Sequence, residues 1–189
     1  MAKSDHLKTE GLTLGRIARF YDLICAVSGL GTGFKQRIVR LAELTPQDRV
    51  LDVGCGTGLL TRLAAEQAAE AVGIDAAPEM IDVARGKAAR KGASVDFRAA
   101  LIEAIPFPDA HFDVAFSTLM IHHLPPEVRD AGLREVLRVL KPDGRFLVAD
   151  FDRGAKLGSL LREVGFSEVK ALGKAWLIGL IGLWEARKA

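Results

Sequence analysis

Val50-Leu51-Asp52-Val53-Gly54-Cys55-Gly56-Thr57-Gly58 joins a short apolar run to three glycines at alternate positions. An apolar run that ends in glycines reads as a strand buried on both faces. The glycines let the backbone adopt dihedrals that side chains forbid and come close to a ligand. Beyond them, residues 59–69 repeat their apolar positions at helical spacing. The next apolar run, residues 71–74, stops at Asp75. A carboxylate at the end of a second strand can accept hydrogen bonds from both hydroxyls of a ribose. A glycine repeat is weak evidence alone, but here it lies between a strand and a helix with an acid following at the right place.

Outward from this stretch, strands and helices alternate. Pro78 can open a helix that runs through Met80, Ile81 and Ala84. Residues 95–97, 114–116 and 146–149 supply three further strands, and a helix over 128–140 separates the last two. The Pro142-Asp143-Gly144 turn is expected to stop that helix. After Asp150 come a helix over 157–164 and two strands near 168–172 and 177–185, close enough to pair as an antiparallel hairpin. The expectation is an α/β, Rossmann-like, seven-stranded, mostly parallel sheet with an antiparallel C-terminal hairpin and helices on both faces. Upstream, Ile17, Phe20, Tyr21 and Ile24, then Phe34, Ile38 and Leu41, mark two helices broken at Gly29–Gly33. One domain over 1–189 accounts for the chain, with 1–44 as cap helices and 45–189 as the core.

Two cofactors suit a strand, glycine turn and helix. Dinucleotide sites normally carry G-x-G-x-x-G, with a helix N-terminus facing a pyrophosphate. This loop is G-x-G-x-G, and Asp52 lies immediately before it. A carboxylate there repels pyrophosphate and suits the ammonium and sulfonium charges of S-adenosylmethionine (SAM). Charge favours SAM, with a nicotinamide cofactor as the distant alternative.

Residues 49–151 resemble the class I SAM-dependent methyltransferases, especially the branch containing the ubiquinone and menaquinone biosynthesis enzymes. The resemblance rests on Asp52 to Gly58, on Gly73-Ile74-Asp75 with Pro78-Glu79-Met80, and on Ile105-Pro106-Phe107-Pro108-Asp109. Phe112-Asp113, His122-His123-Leu124 and Leu140-Lys141-Pro142-Asp143-Gly144 continue it in the family's order. It implies that Gly54, Gly56 and Gly58, with Cys55 among them, line the methionyl part of SAM. Asp52 then holds the amino group, Asp75 the ribose, and Ala76 and Met80 flank the adenine. Where relatives often carry an aspartate for the adenine amino group this chain has Leu101, which leaves the backbone N–H of Ile102. Ser117 ends the fourth strand beside the cofactor. The product is S-adenosylhomocysteine, and the acceptor is a small molecule, with a hydrophobic one favoured over a polar amine. A non-catalytic SAM-binding partner or regulatory subunit is the reading from another class.

His122, His123 and Tyr21 are the candidate catalytic groups. Imidazole titrates near neutrality and suits a general base. The plainer alternatives are a packed helix start with a hydrogen-bonded imidazole, and an aromatic anchor for Tyr21. Adjacent histidines rarely converge on one ion and nothing completes a ligand set, so no metal is expected. Cys55 is read as a small residue in a tight loop, and Cys25 as core.

Composition narrows the rest. A net charge of +2 over 189 residues makes no case for nucleic acid. Two cysteines fit a reducing compartment, and residues 1–10 lack a signal peptide's apolar core, so a cytoplasmic location is expected. The most apolar stretch, residues 175–184 with Trp176, Leu177, Ile178, Leu180, Ile181 and Trp184, is about half a membrane span. It reads as a buried strand pair, with a greasy acceptor site or a peripheral membrane contact as the alternative. Oligomeric state leaves no mark in the sequence.

Overall fold

The computed structural model describes residues 30–152, 156–175 and 180–189. The first expected N-terminal helix, with Tyr21 and Cys25, lies outside the described residues, as do Trp176, Leu177 and Ile178.

The strands are β1 (Arg49–Val53), β2 (Glu70–Asp75), β3 (Asp96–Ala99), β4 (Phe112–Thr118), β5 (Leu140–Phe151), β6 (Ser167–Ala175) and β7 (Ile181–Arg187). They form one seven-stranded sheet in the order β3-β2-β1-β4-β5-β7-β6. The first five run parallel, while β7 is antiparallel to both β5 and β6. The chain builds outward from β1 through β2 to β3, then returns to place β4 on the other side of β1. That reversal opens a crevice beyond the carboxyl ends of β1 and β4, where open α/β sheets take their ligands.

Helices α1 (Thr32–Leu41), α2 (Leu59–Ala65), α3 (Pro78–Arg90), α4 (Pro126–Val139) and α5 (Lys156–Val164) cover the sheet. Two cores separate on its two faces. Val50, Phe116 and Leu147 pack with Phe34 and Ile38 of α1 and Leu60 of α2. Leu51, Val53 and Val148 pack with Leu133 and Val136 of α4 and Leu157 and Leu161 of α5. The uninterrupted apolar run of β1 is thus explained: each neighbour feeds the opposite core. Asp52 shares its face with Val50 and points toward α1 and α2.

Three details depart from the sequence reading. Helix α2 ends at Ala65 rather than residue 69, because the N–H groups of Ala69 and Glu70 donate instead to the Asp48 carbonyl and draw the chain into β2. Leu140 already belongs to β5, so Pro142-Asp143-Gly144 bulges within the strand instead of following the helix as a free turn. The ladder with β4 skips there from Leu140 opposite Phe112 to Arg145 opposite Val114, and Asp143 takes φ +62°. The hairpin strands also run on past their expected ends, β6 (Ser167–Ala175) beyond residue 172 and β7 (Ile181–Arg187) beyond residue 185.

The apolar residues described near the C-terminus are interior. Ile181 and Leu183 are buried, and the Trp184 ring packs where a Cβ on Gly158 would fall, 2.5 Å from it. That contact accounts for a glycine inside α5. Among the described residues, no helix is long and apolar enough to cross a membrane.

Candidate functional site

The loop after β1 is built by its three glycines. Gly54, Gly56 and Gly58 all take positive φ, at +72°, +53° and +72°. A side chain there would be strained and would also collide. A Cβ on Gly58 would lie 2.5 Å from the Phe97 ring, and one on Gly54 would lie 2.5 Å from Cγ of Met120. The N–H groups of Gly54 and Cys55 both donate to the Ile74 carbonyl at 2.9 Å. The Gly56 N–H donates to Asp75 Oδ2 at 2.9 Å, and the Ala77 N–H to Oδ1 at 2.9 Å. Asp75 therefore joins the loop to the end of β2. Burial raises its carboxyl above the ordinary range, against the pull of those two amides.

Asp52 is 1% exposed. Thr61 Oγ1 of α2 donates to Oδ2 at 2.7 Å, while Oδ1 is buried with no hydrogen-bond partner among the described residues. Burial pushes its carboxyl up to about 6, opposed by the Lys35 ammonium and the Thr61 hydroxyl and reinforced by Asp75. A buried carboxylate oxygen left bare is costly, and a cationic donor brought to it relieves the cost. Lys35 reaches this region from α1 and donates from Nζ to Thr118 Oγ1. Sequence reading did not mark Lys35; one lysine on an amphipathic helix carries no signal of its target 83 residues away.

Ser117 is fully buried at the end of β4, and its Oγ likewise has no hydrogen-bond partner among the described residues. Ala76 is exposed and Met80 buried on the inner side of α3. Leu101 is partly buried ahead of the 3-10 turn Ile102–Ala104, where the Ile102 side chain packs against Gly132 of α4. The Cys55 thiol is pushed well up by burial and by the neighbouring Asp52 and Asp75, so it stays protonated and unreactive.

The two histidines part company in the fold. His122 Nδ1 lies 2.5 Å from Asp150 Oδ1. The His123 ring lies against it at a tilt of 41°, ring centroids 3.8 Å apart, and makes no side-chain hydrogen bond among the described residues. Burial, with His122 alongside, lowers the His123 imidazole below its ordinary range despite Asp150. Met120 links this corner to the glycine loop, since its side chain covers Gly54 while its N–H donates to Asp150 Oδ2 at 3.1 Å. His122 opens on a cleft of about 420 Å³ lined on one hand by Ile121, Leu124 and Leu157 and on the other by Arg129, Lys156 and Glu163. Among the described residues, no group of three His, Cys, Asp or Glu is placed to hold a metal ion.

Other motifs turn out to be framework. Arg138 of α4 donates to the carbonyls of Ile105 and Phe107 at 3.0 and 2.9 Å and pairs with Asp109 and Glu135. It thereby knots the Ile105–Asp109 segment to the helix. Asp113 accepts from the Arg49 N–H and from Lys141 Nζ, pinning the β5 bulge to β4. Burial alone would raise the Asp113 carboxyl, but Lys141 and that amide outweigh it and hold it below the usual carboxylate range.

Comparison with known proteins agrees with this architecture. The sequence profile of a family described as a methyltransferase domain matches residues 50–144. An uncharacterized methyltransferase, YcgJ of Bacillus subtilis (strain 168), is 41% identical over 114 residues, covering 60% of this chain and 44% of that protein. The ubiquinone/menaquinone biosynthesis C-methyltransferase UbiE of Ectopseudomonas mendocina is 36% identical over 170 residues, covering 84% of this chain and 64% of that protein. The chain thus spans less than two thirds of the length of either relative. The crystal structure of the Bacillus YcgJ protein superposes with a TM-score of 0.69 at 27% identity, over 75% of this chain and 70% of that one.

Proposed function

The chain belongs to the methyltransferase-domain family, and on that premise we propose that it transfers the methyl group of SAM to a small hydrophobic acceptor, leaving S-adenosylhomocysteine. Asp52 carries this reading. Its bare oxygen Oδ1 lies beneath a loop whose three glycines permit close approach, and an ammonium is the donor that would satisfy it. Ser117 Oγ, also buried with no hydrogen-bond partner among the described residues, lies next to the end of the neighbouring strand.

When bound, SAM supplies a methyl group activated by sulfonium and open to in-line displacement. The chain's own residues position it and exclude water. Asp52 would take the amino group through Oδ1. The main chain at Gly54, Cys55, Gly56 and Gly58 would hold the methionyl part. Asp75, fixed by the Gly56 and Ala77 amides, would accept the ribose hydroxyls. Ala76 and Met80 would hold the adenine, and the Ile102 N–H, beside Leu101, would serve its edge.

A hydrophobic acceptor is favoured by the quinone chemistry named for UbiE. The reading takes residues 1–189 as one catalytic domain working in the cytoplasm. Calorimetric titration with SAM tests the cofactor. Transfer of isotope-labelled methyl into an extract of the source cells, split into lipid-soluble and aqueous fractions, tests the acceptor. Label in the lipid fraction supports the proposal, aqueous label points to a polar acceptor, and SAM binding without any label favours a binding subunit.

A further inference from the structure

Asp150 closes β5 with 1% of its surface exposed. It accepts the N–H groups of Met120, His122 and Phe151 at 3.1, 3.3 and 2.7 Å, and the fourth contact is His122 Nδ1 at 2.5 Å. A carboxylate so placed is only an acceptor, so the ring nitrogen facing it carries the proton. The neutral imidazole then has its lone pair on Nε2. The His122 ring is a quarter exposed, meets Phe151 edge-on at 4.7 Å, and lines the cleft. Among the described residues, His123 has no such partner to set its tautomer.

We infer that His122, its tautomer set by Asp150, is the base that takes the proton from a hydroxylated acceptor, a phenol or enol, bound in this cleft. This rests on the methyl-transfer reading above. His122 Nε2 removes the O–H proton, and the electron pair of that bond stays on oxygen. The oxygen pair then forms a bond to the methyl carbon as the methyl–sulfur bond breaks, its electrons remaining on sulfur. The imidazolium formed is balanced by Asp150 and returns its proton to water at the cleft mouth. A neutral amine carries its own lone pair and needs no such partner, so the device selects a hydroxyl. Asp150 is a positioning residue, and His122 is the catalytic one. Among the described residues, the charged groups facing the cleft besides Asp150 are Arg129 and Lys156 on one side of the balance and Glu163 on the other. Arg129 is paired with Asp130 at 2.9 Å, and His123 is the other titrating group beside His122.

The first test is spectroscopic and needs no acceptor. Long-range proton–nitrogen correlation on the full chain with nitrogen-15 histidine is expected to show His122 as the Nδ1–H tautomer at high pH, with an Asp150→Asn variant shifted toward Nε2–H. An Nε2–H tautomer in the wild type overturns the inference, whether or not the variant folds. The second test follows labelled methyl from SAM into the source-cell extract. Methyl ethers are the expected products. His122→Ala should lower their rate of formation roughly 100-fold or more while still binding SAM. His123→Ala should stay within about threefold, far short of a general base's contribution. Labelled methylamines, or a His122→Ala rate close to wild type, overturn the assignment. Failure of the wild type to bind SAM strikes the methyl-transfer reading beneath it instead.

Discussion

Thr61 donates to one oxygen of the Asp52 carboxylate at 2.7 Å, and the other oxygen is buried without a hydrogen-bond partner among the described residues. Thr61 offsets only part of what burial does to the charge. Burial pushes the folded carboxyl up to about 6 from an ordinary 3.8. The native state therefore holds this proton more tightly than the unfolded chain. The group's contribution to stability is full below about pH 4 and is lost as pH rises through about 6.

A bound ammonium needs Asp52 ionised, so SAM affinity should move the opposite way. Titration calorimetry between about pH 5 and about pH 8 is expected to show affinity falling toward tenfold per unit below about pH 6 and level above it. Asp52→Asn should flatten that dependence and weaken binding at neutral pH by at least roughly tenfold, the scale of a hydrogen bond to a charged group. An equally steep profile in the variant would remove Asp52 from the site.

Asp75 and His123 separate the cofactor from the acceptor side. Asp75→Ala deletes the carboxylate that holds the Gly56 and Ala77 amides and is read as the ribose ligand. Its SAM affinity should fall further than that of His123→Ala, whose ring makes no side-chain hydrogen bond among the described residues. Equal affinities for the two variants would count against this placement of the nucleotide.

Glycine to alanine inside a helix ordinarily stabilises by about 1 kcal/mol. At Gly132 of α4 the sign should reverse, because a Cβ would lie 2.7–2.9 Å from three side-chain carbons of the buried Ile102. Overpacking of this kind costs about 1–3 kcal/mol. Urea unfolding of Gly132→Ala checks it; a midpoint at or above wild type contradicts the close packing of α4 on the 3-10 turn.

Removing the Arg138 guanidinium strips donors from two backbone carbonyls and pairing from Glu135 and Asp109. The Glu135 carboxyl is held low chiefly by its hydrogen bond to Arg138. Arg138→Ala should lower stability by roughly 2 kcal/mol, since unmet carbonyls and a charge-assisted pair are lost together. Arg138→Lys should recover only part, because one ammonium cannot reproduce the fork. A Lys variant as stable as wild type, measured by thermal unfolding, would show that charge alone suffices.

Elements with local causes were legible from residue order. Glycines at 54, 56 and 58 announced positive φ, Pro78 opened α3, and the apolar runs marked the strands. The boundaries that moved were those where a distant partner took the backbone. The Asp48 carbonyl cut α2 short, and β4 drew Leu140 into the sheet before the Pro142 bulge. The sequence offered Phe112-Asp113 only as a motif of the resemblance; that Asp113 is a strut depends on its partners Arg49 and Lys141, 64 and 28 residues away.

The sequence by itself determined the order of strands and helices, the glycine turn and the acids on either side of it. Those features follow from dihedral preference and hydrophobic period, which act over a few residues. Which of two adjacent histidines is held, that Lys35 reaches Thr118, and that one oxygen of Asp52 has no partner among the described residues were settled by the folded arrangement alone. Each of these depends on side chains from separate elements meeting at the carboxyl edge of one sheet. Register and packing set that meeting, and no local preference encodes it.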